Sequence, residues 1–275
     1  MASEFQVRQE ICDIGHRLWL KGFCAGNEGN ISARIGPDAV LCTPTLVSKG
    51  FLKPADICKV DFTGKQLTGT KRRTSEILLH LEIYKARSDI NAIVHCHPPH
   101  LTAFAVTRRE IPLCVSPEME IFVGHVPIAE YATPGTDDLA RSILKHVDTS
   151  NTMLLANHGA VSWSKSVEEA FFKMEIAEAY CRVLLLAGHL GGALQLQPTQ
   201  VKDLLEIKKQ LGLSDDPRIK YENVDLCGND LLDRGITCSR EGQPTETPAK
   251  KLSAEHYEQL VKQITDIVVS QMKKS

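Results

Sequence analysis

Residues 91–99 read Asn-Ala-Ile-Val-His-Cys-His-Pro-Pro. Ala92, Ile93 and Val94 make a short apolar run and the two prolines close it, so Asn91–His97 is expected to be a strand that stops at Pro98. Side chains two apart on a strand share a face, so the imidazoles of His95 and His97 can converge on one ion at the strand's end. A helix is expected before this strand, from about Ser75 to Arg87, and another after it, from near His100. The segment is thus one strand of an α/β sheet.

Upstream, Ser3 to Gly22 reads as a helix. Ser3 and Gln6 form a capping box, and Phe5, Ile11, Ile14 and Leu18 form a helical stripe. Strands are expected at Asn30–Arg34, Val40–Thr43 and Ile57–Phe62. Downstream they are expected at Leu113–Val115, Val126–Ala129 and Met153–Asn157. Helices are expected over Asp137–His146, from the Ser166/Glu169 cap to about Gly188, and over Thr199–Leu211. The strands lack a regular βαβ rhythm, and several connections are of hairpin length. A mixed, largely antiparallel sheet with helices on its faces fits better than a doubly wound parallel one.

The 275 residues are 43% hydrophobic and 24% charged, ordinary for a globular chain and enough for a core without disulfide staples. A net charge of −2 and an aromatic content of 5% argue against a nucleic-acid partner. No run of about 18 apolar residues suits a membrane span. Met1–Glu10 lacks the apolar core of a signal peptide. Nine cysteines at uneven spacing, with no CxxC, fit a reducing compartment in which most serve as small buried hydrophobes. The expectation is a cytoplasmic protein.

The C-terminal end differs in character. Residues 1–238 are expected to form the body. Ser239–Lys251 has no large apolar residue and reads as a flexible linker. Within 252–275, Tyr257, Leu260, Val261, Ile264, Ile267, Val268 and Met272 lie at helical spacing, so an amphipathic helix capped by Ser253 is expected, with an apolar stripe that needs a partner.

His158 follows another apolar strand and precedes Gly159, and Glu76 opens the helix after Thr74-Ser75. Each alone has a structural reading: a core histidine, or a carboxylate favouring a helix N-terminus. Together, three imidazoles and a carboxylate suit Zn²⁺ or a similar first-row metal. Gly26–Asn30 can turn backbone N–H groups toward an anion, and Thr74-Ser75 offers hydroxyls at a helix start, beside Arg72 and Arg73.

Gly29-Asn30-Ile31-Ser32, Thr43-Pro44-Thr45, Ser75-Glu76, His95-Cys96-His97-Pro98, Tyr131-Ala132-Thr133-Pro134-Gly135-Thr136 and Asn157-His158-Gly159 occur in the order found in class II aldolase/adducin-type proteins. The chain resembles that family over roughly Ser3 to Leu211, most of all the members that cleave L-fuculose 1-phosphate. The resemblance implies a three-layer α/β/α fold around a mixed, mostly antiparallel sheet, and a homotetramer with sites at subunit interfaces. It implies His95, His97 and His158 as Zn²⁺ ligands. Glu76 would be the catalytic acid/base and a fourth ligand without substrate. Asn30, Thr45, Thr74 and Ser75 would surround the phosphate of a phosphorylated ketose.

Two departures stand out: Leu46 replaces the family's usual small residue, and Ser116-Pro117-Glu118 stands where the fuculose-type members have a tyrosine acid, which leaves Glu118 as the candidate for that role. The implied reaction releases dihydroxyacetone phosphate and L-lactaldehyde from L-fuculose 1-phosphate, and from L-rhamnulose 1-phosphate as a second candidate. A 4-epimerase, a dehydratase, a decarboxylase or a non-enzymatic adducin-like module are the alternatives. The linker and terminal helix resemble an encapsulation peptide, which implies shell or cargo proteins of a bacterial microcompartment as partners. Docking of that helix on the body or on a sister subunit is its alternative.

Overall fold

The computed structural model describes residues 3–213, 216–220 and 226–227. The expected linker (239–251) and terminal helix (252–275) lie outside them. Helix α1 (Glu4–Leu20) starts at the expected capping box: Ser3 Oγ accepts the Gln6 N–H and the Gln6 side chain accepts the Ser3 N–H. Its stripe of Ile11, Ile14 and Leu18 is buried, while Phe5 is exposed. Strands β1 (Asn30–Ile35), β2 (Ala39–Cys42), β3 (Cys58–Asp61) and β4 (Gln66–Thr68) follow. Next come α2 (Ile77–Ala86), β5 (Ala92–Cys96), α3 (Pro99–Thr107), a π-helical turn (Met119–Val123), β6 (Ile128–Ala129) and α4 (Asp137–Ser142). β7 (Thr152–Leu155), β8 (Gly159–Ser164), α5 (Val167–Gly188), α6 (Pro198–Gln210) and α7 (Pro217–Lys220) complete the set.

The strands form one eight-stranded sheet in the order β4-β3-β2-β1-β5-β8-β7-β6. Among them β6–β7 is the parallel pair and the other neighbours are antiparallel. Alternation along β5 assigns the two faces. Ala92, Val94 and Cys96 pack with α1, α3 and α5, whereas Ile93 packs with α2 and α4. Helices therefore cover both faces, as a central sheet buried on both sides requires, and the expected three-layer, mostly antiparallel architecture holds.

Strand β4 has no counterpart in the sequence reading, the helix expected over Asp137–His146 ends at Ser142, and two further readings change. Leu113–Val115 is not a strand: Cys114 takes a left-handed backbone (φ 62°) and its N–H donates to Glu120 (2.6 Å), so it has no ladder to join. Leu113 and Cys114 instead pack under α6 with Val201 and Leu205. In the other direction, Gly159–Ser164 forms the central strand β8 although its sequence reads only half apolar. Ser162 is buried because its hydroxyl donates to Ala170 O on α5 (2.7 Å).

The cysteines also differ from expectation at one place. Cys114 and Cys227 are joined by a disulfide, while Cys12, Cys24, Cys42, Cys58, Cys96 and Cys181 are buried thiols. The two halves meet because Arg218 is buried between Glu120 (2.5 Å) and Asp216 (2.8 Å), with Lys208 on Asp216 (3.0 Å), and also donates to Leu226 O (3.0 Å), next to Cys227.

Beneath α2 lies a buried polar chain in which Ser32 Oγ contacts His80 Nδ1 (2.7 Å) and Tyr84 OH (2.9 Å). Burial pushes the His80 pKa down to about 3. The imidazole therefore stays neutral in the fold while the unfolded chain's imidazole gains a proton near pH 6.5. The unfolded state then holds more protons, and stability falls as pH drops from 6.5 toward 3, by at most about 1.4 kcal/mol per unit for this one group. Urea midpoints of metal-free protein at pH 7, 6 and 5 should fall for the wild type and fall less steeply for His80→Gln; equal slopes would refute the assignment.

Candidate metal centre

Register brings the site together. Asn30, first residue of β1, sits opposite His95 near the end of β5. On the other side of β5, His95 is opposite Val161, and the β7–β8 hairpin closes at Leu155↔Gly159. His158 lies in that tight turn, just after Asn157, whose backbone is left-handed (φ 56°). All three histidines thus reach the same end of the sheet, and the start of α2 delivers Glu76 to it.

The three imidazole ring centres are 4.8–5.1 Å apart. One nitrogen from each lies within 4.8 Å of the others. His95 is fully buried; its Nδ1 is 2.9 Å from Ala160 O, which fixes the tautomer with Nδ1–H donating and leaves Nε2 free of hydrogen-bond partners. The Nε2 of His97 and the Nδ1 of His158 are likewise buried without a partner, as is Glu76 Oε1. Burial, together with the neighbouring imidazoles, holds His95 well below its ordinary pKa. Burial also lowers that of His158, partly offset by the Glu76 carboxylate. At neutral pH the contacts of Glu76 with His95 (3.4 Å) and His158 (3.6 Å) are therefore carboxylate-to-neutral-imidazole contacts rather than ion pairs.

Such a cluster of buried ligand atoms without hydrogen-bond partners is costly in a protein interior unless something binds it. Lone pairs on neutral imidazoles with an adjacent carboxylate are what a divalent first-row cation requires, so the donor set fits the metal expected from the sequence.

Two glycines make room for this arrangement. A Cβ at Gly159 would stand 2.4 Å from the His97 ring and 2.8 Å from Cys96 O. A Cβ at Gly29, whose φ is +74°, would stand 2.6 Å from Cys24 Sγ and 2.9 Å from His95 O.

The structure also gathers the segments expected to hold phosphate. Thr45 N–H donates to Arg72 O (2.9 Å) and Thr74 N–H to Thr43 O (3.1 Å), and Thr43 in turn exchanges hydrogen bonds with Ile31. Thr45, Thr74 and Ser75 are thereby brought beside the start of β1. Asn30 is buried and its amide donates to Glu76 Oε2 (2.7 Å), so its first duty is to the carboxylate. Arg73 is committed to Gly64 O and Thr74 O, whereas Arg72 is exposed. Leu46 is 79% exposed and takes the left-handed backbone (φ 58°) that a glycine adopts freely.

Glu118 stands apart from the cluster. It is exposed, accepts a hydrogen bond from Ser116 Oγ (2.9 Å), and its pKa is lowered by its own backbone N–H and by Ser116. A carboxyl held ionised in this way is poorly matched to donating a proton near neutral pH.

Three residues at the site escape a sequence reading. Glu28 has its Oε2 3.4 Å from His97 Nδ1. Lys49 is buried with Nζ donating to Asn27 O (2.8 Å) and Val47 O (2.5 Å), and burial lowers its pKa to about 8. Glu178 of α5 accepts the backbone N–H groups of His100 and Leu101 and thereby holds the start of α3 just after His97. Glu28 sits within a Gly/Asn cluster that draws attention to backbone donors, and nothing local marks Lys49 or Glu178.

Residues 9–185 match the family of the class II aldolase and adducin N-terminal domain. The chain belongs to that family, and its fold and donor set are those of a metal-dependent lyase. It is 35% identical to an L-fuculose phosphate aldolase of Methanococcus maripaludis over 65% of this chain and 95% of that protein. It is also 35% identical to a 3-oxo-tetronate 4-phosphate decarboxylase of Cupriavidus necator, over 65% of this chain and 83% of the other. The solved structure of YgbL from Klebsiella pneumoniae superposes with a TM-score of 0.70 at 30% identity, covering 74% of this chain and all of YgbL.

Gly159→Ala should test the centre, because its methyl group crowds both the His97 ring and the Cys96 carbonyl at the end of β5. Its methyl group displaces the His97 ring, so Zn²⁺ retained after dialysis should fall toward that of His95→Ala. Full retention in both variants would remove the metal assignment.

Proposed function

We propose that the protein cleaves a phosphorylated ketose between C3 and C4, with L-fuculose 1-phosphate as the leading substrate and L-rhamnulose 1-phosphate as the second. The products are dihydroxyacetone phosphate and L-lactaldehyde. The observation that carries this reading is the convergence of the His95, His97 and His158 imidazoles beside Glu76, whose Oε2 is held by Asn30 and lies 3.4 Å from His95 Nε2 and whose Oε1 lies 3.6 Å from His158 Nε2. The aldolase relative supports it.

His95, His97 and His158 would hold a divalent cation, Zn²⁺ being the leading candidate, and Glu76 would join them in the absence of substrate. Once bound, the metal supplies Lewis-acid polarisation of the sugar's oxygens. Because the three ligands are neutral, they leave the ion's charge undiminished for that purpose. Asn30 fixes Glu76 Oε2 and leaves Oε1 free to carry a proton. As the C3–C4 bond breaks, the electron pair stays on the C3 side; Glu76, protonated from solvent beforehand, gives that proton to C3 and is left as the carboxylate. The hydrogen of the C4 hydroxyl must leave for the aldehyde to form; Glu118 of a neighbouring subunit is the sequence-based candidate to accept it. Thr45, Thr74 and Ser75, with Asn30, would receive the phosphate, whose binding supplies energy remote from the reacting bond. Trp19 and Phe51 meet at the surface with tilted rings whose centroids are 4.9 Å apart, an exposed apolar feature consistent with assembly into the expected tetramer.

A second reading is decarboxylation of a 3-oxo sugar-acid phosphate, favoured by the relative of equal identity that carries that activity. It also breaks a carbon–carbon bond next to a carbonyl and needs one returned proton, which Glu76 would supply. Product analysis with both substrate types separates the two: lactaldehyde in the first, CO₂ in the second. Glu76→Gln should lower kcat roughly 10²- to 10⁴-fold in either case, and chelation of the metal should abolish turnover. Undiminished turnover in metal-free protein would refute the mechanism.

For residues 252–275 we retain the sequence-based reading of recruitment to microcompartment shell or cargo proteins. Truncation before Ser239 should leave turnover intact and abolish co-sedimentation with assembled shells; continued co-sedimentation would overturn it.

A further inference from the structure

The Phe23–Asn30 segment contacts the metal centre at more points than an anion-binding turn would require. Phe23 O accepts the backbone N–H of His97 (2.8 Å). Asn30, at the other end, holds Glu76. Between them, Glu28 Oε2 accepts the Ala25 N–H (3.0 Å) while the Glu28 N–H donates to Ala25 O (3.0 Å), a closed ring that pins the carboxylate. The same Oε2 is the atom 3.4 Å from His97 Nδ1. Buried Lys49 anchors the segment from behind through Asn27 O, and Gly29 lets it lie against His95 O and Cys96.

The chemistry on the two sides of the His97 ring is different. Nε2 is buried with no hydrogen-bond partner, whereas Nδ1 faces a carboxylate. His95 shows the corresponding arrangement with a neutral acceptor, since its Nδ1 donates to Ala160 O. A carboxylate on the far nitrogen of a metal-binding imidazole fixes its tautomer and orientation and raises its basicity. Glu28 is also on the wrong side of the ring to be a ligand itself.

We propose that Glu28 is a positioning residue for His97. It holds the ring with Nε2 turned into the cluster, so that His97 binds the cation more tightly than an unsupported imidazole would. Glu28 is 41% exposed and lies outside the strands and helices, so its removal should leave them in place. The inference rests on the metal-centre reading of the three histidines and adds to it a specific partner for one of them.

The test uses Zn²⁺ alone, titrated into dialysed full-length protein against a chromophoric chelator, with Co²⁺ absorption spectra as a second readout. Four proteins are compared: wild type, His97→Ala, Glu28→Ala and Glu28→Gln. Glu28→Ala should weaken Zn²⁺ binding roughly 10- to 100-fold. Glu28→Gln, which keeps an acceptor but no charge, should fall between it and wild type and shift the Co²⁺ ligand-field bands. A merely structural role for Glu28 would lower the unfolding midpoint of the metal-free protein without moving those bands. If Glu28→Ala fails to fold, Glu28→Gln decides by itself. Zn²⁺ affinity of both Glu28 variants within twofold of wild type, with His97→Ala impaired, overturns the proposal and leaves the centre standing. Unimpaired binding by His97→Ala instead overturns the centre itself.

Discussion

The pairing of β1, β5 and β8 in one register is the constraint on which everything else at this end of the molecule depends. Asn30 lies across from His95, and Val161 lies across from His95 on the other side. Side chains alternate strictly along a strand, so a slip of one residue in β5 would exchange its two faces. His95 would then turn toward α5, where Val94 and Cys96 now pack, and those apolar side chains would replace it beside Glu76. Antiparallel ladders on both sides of β5 make such a slip expensive, because every hydrogen bond and both core clusters would have to change together. The central position of β5 gives the metal ligands a rigid base, as a site of this kind needs.

Around that base the chain places polar groups that the interior would otherwise reject. Imidazole nitrogens and a carboxylate oxygen are buried without protein partners, a state that the fold sustains only by satisfying the atoms around them. Ala160 O takes one Nδ1–H, Asn30 takes one carboxylate oxygen, and Thr74 Oγ1 accepts the Glu76 N–H (3.3 Å). Among what remains, one nitrogen from each of His95, His97 and His158 lies within 4.8 Å of the others. The same economy explains the glycines at 29 and 159, since a methyl group at either would fill space that the histidine strand occupies. It also explains why the Gly/Asn-rich turn after α1, which reads as an anion cradle, spends its backbone and its Glu28 on His97.

The fold was legible where periodicity and capping chemistry are strong. The Ser3/Gln6 capping box and the Ser166 cap mark two helices whose starts agree with the structure. The strand at 91–97 is legible because prolines bound an apolar run. β8 was not, because its buried serines are compensated by α5 rather than by their own neighbours, and that helix packs onto it only in three dimensions. The strand expected at Leu113–Val115 failed for the opposite reason: an apolar run whose backbone N–H is claimed by Glu120 and whose chain bends at Cys114. The Cys114–Cys227 disulfide joins residues 113 positions apart, a proximity created by the buried Arg218 network.

By itself the sequence determined the chemical inventory: three histidines, one carboxylate at a helix start, hydroxyls at two loop ends, and an ordered set of short motifs shared with class II aldolases. It could do so because residue type sets what a group can ligate or protonate, and local spacing sets which face of a strand it occupies. Tertiary structure alone decided which nitrogens are left free, that Asn30 serves Glu76 before any phosphate, and that Glu28 and Lys49 belong to the site. Those outcomes depend on distances between chain segments far apart in sequence, and on burial that no local pattern records.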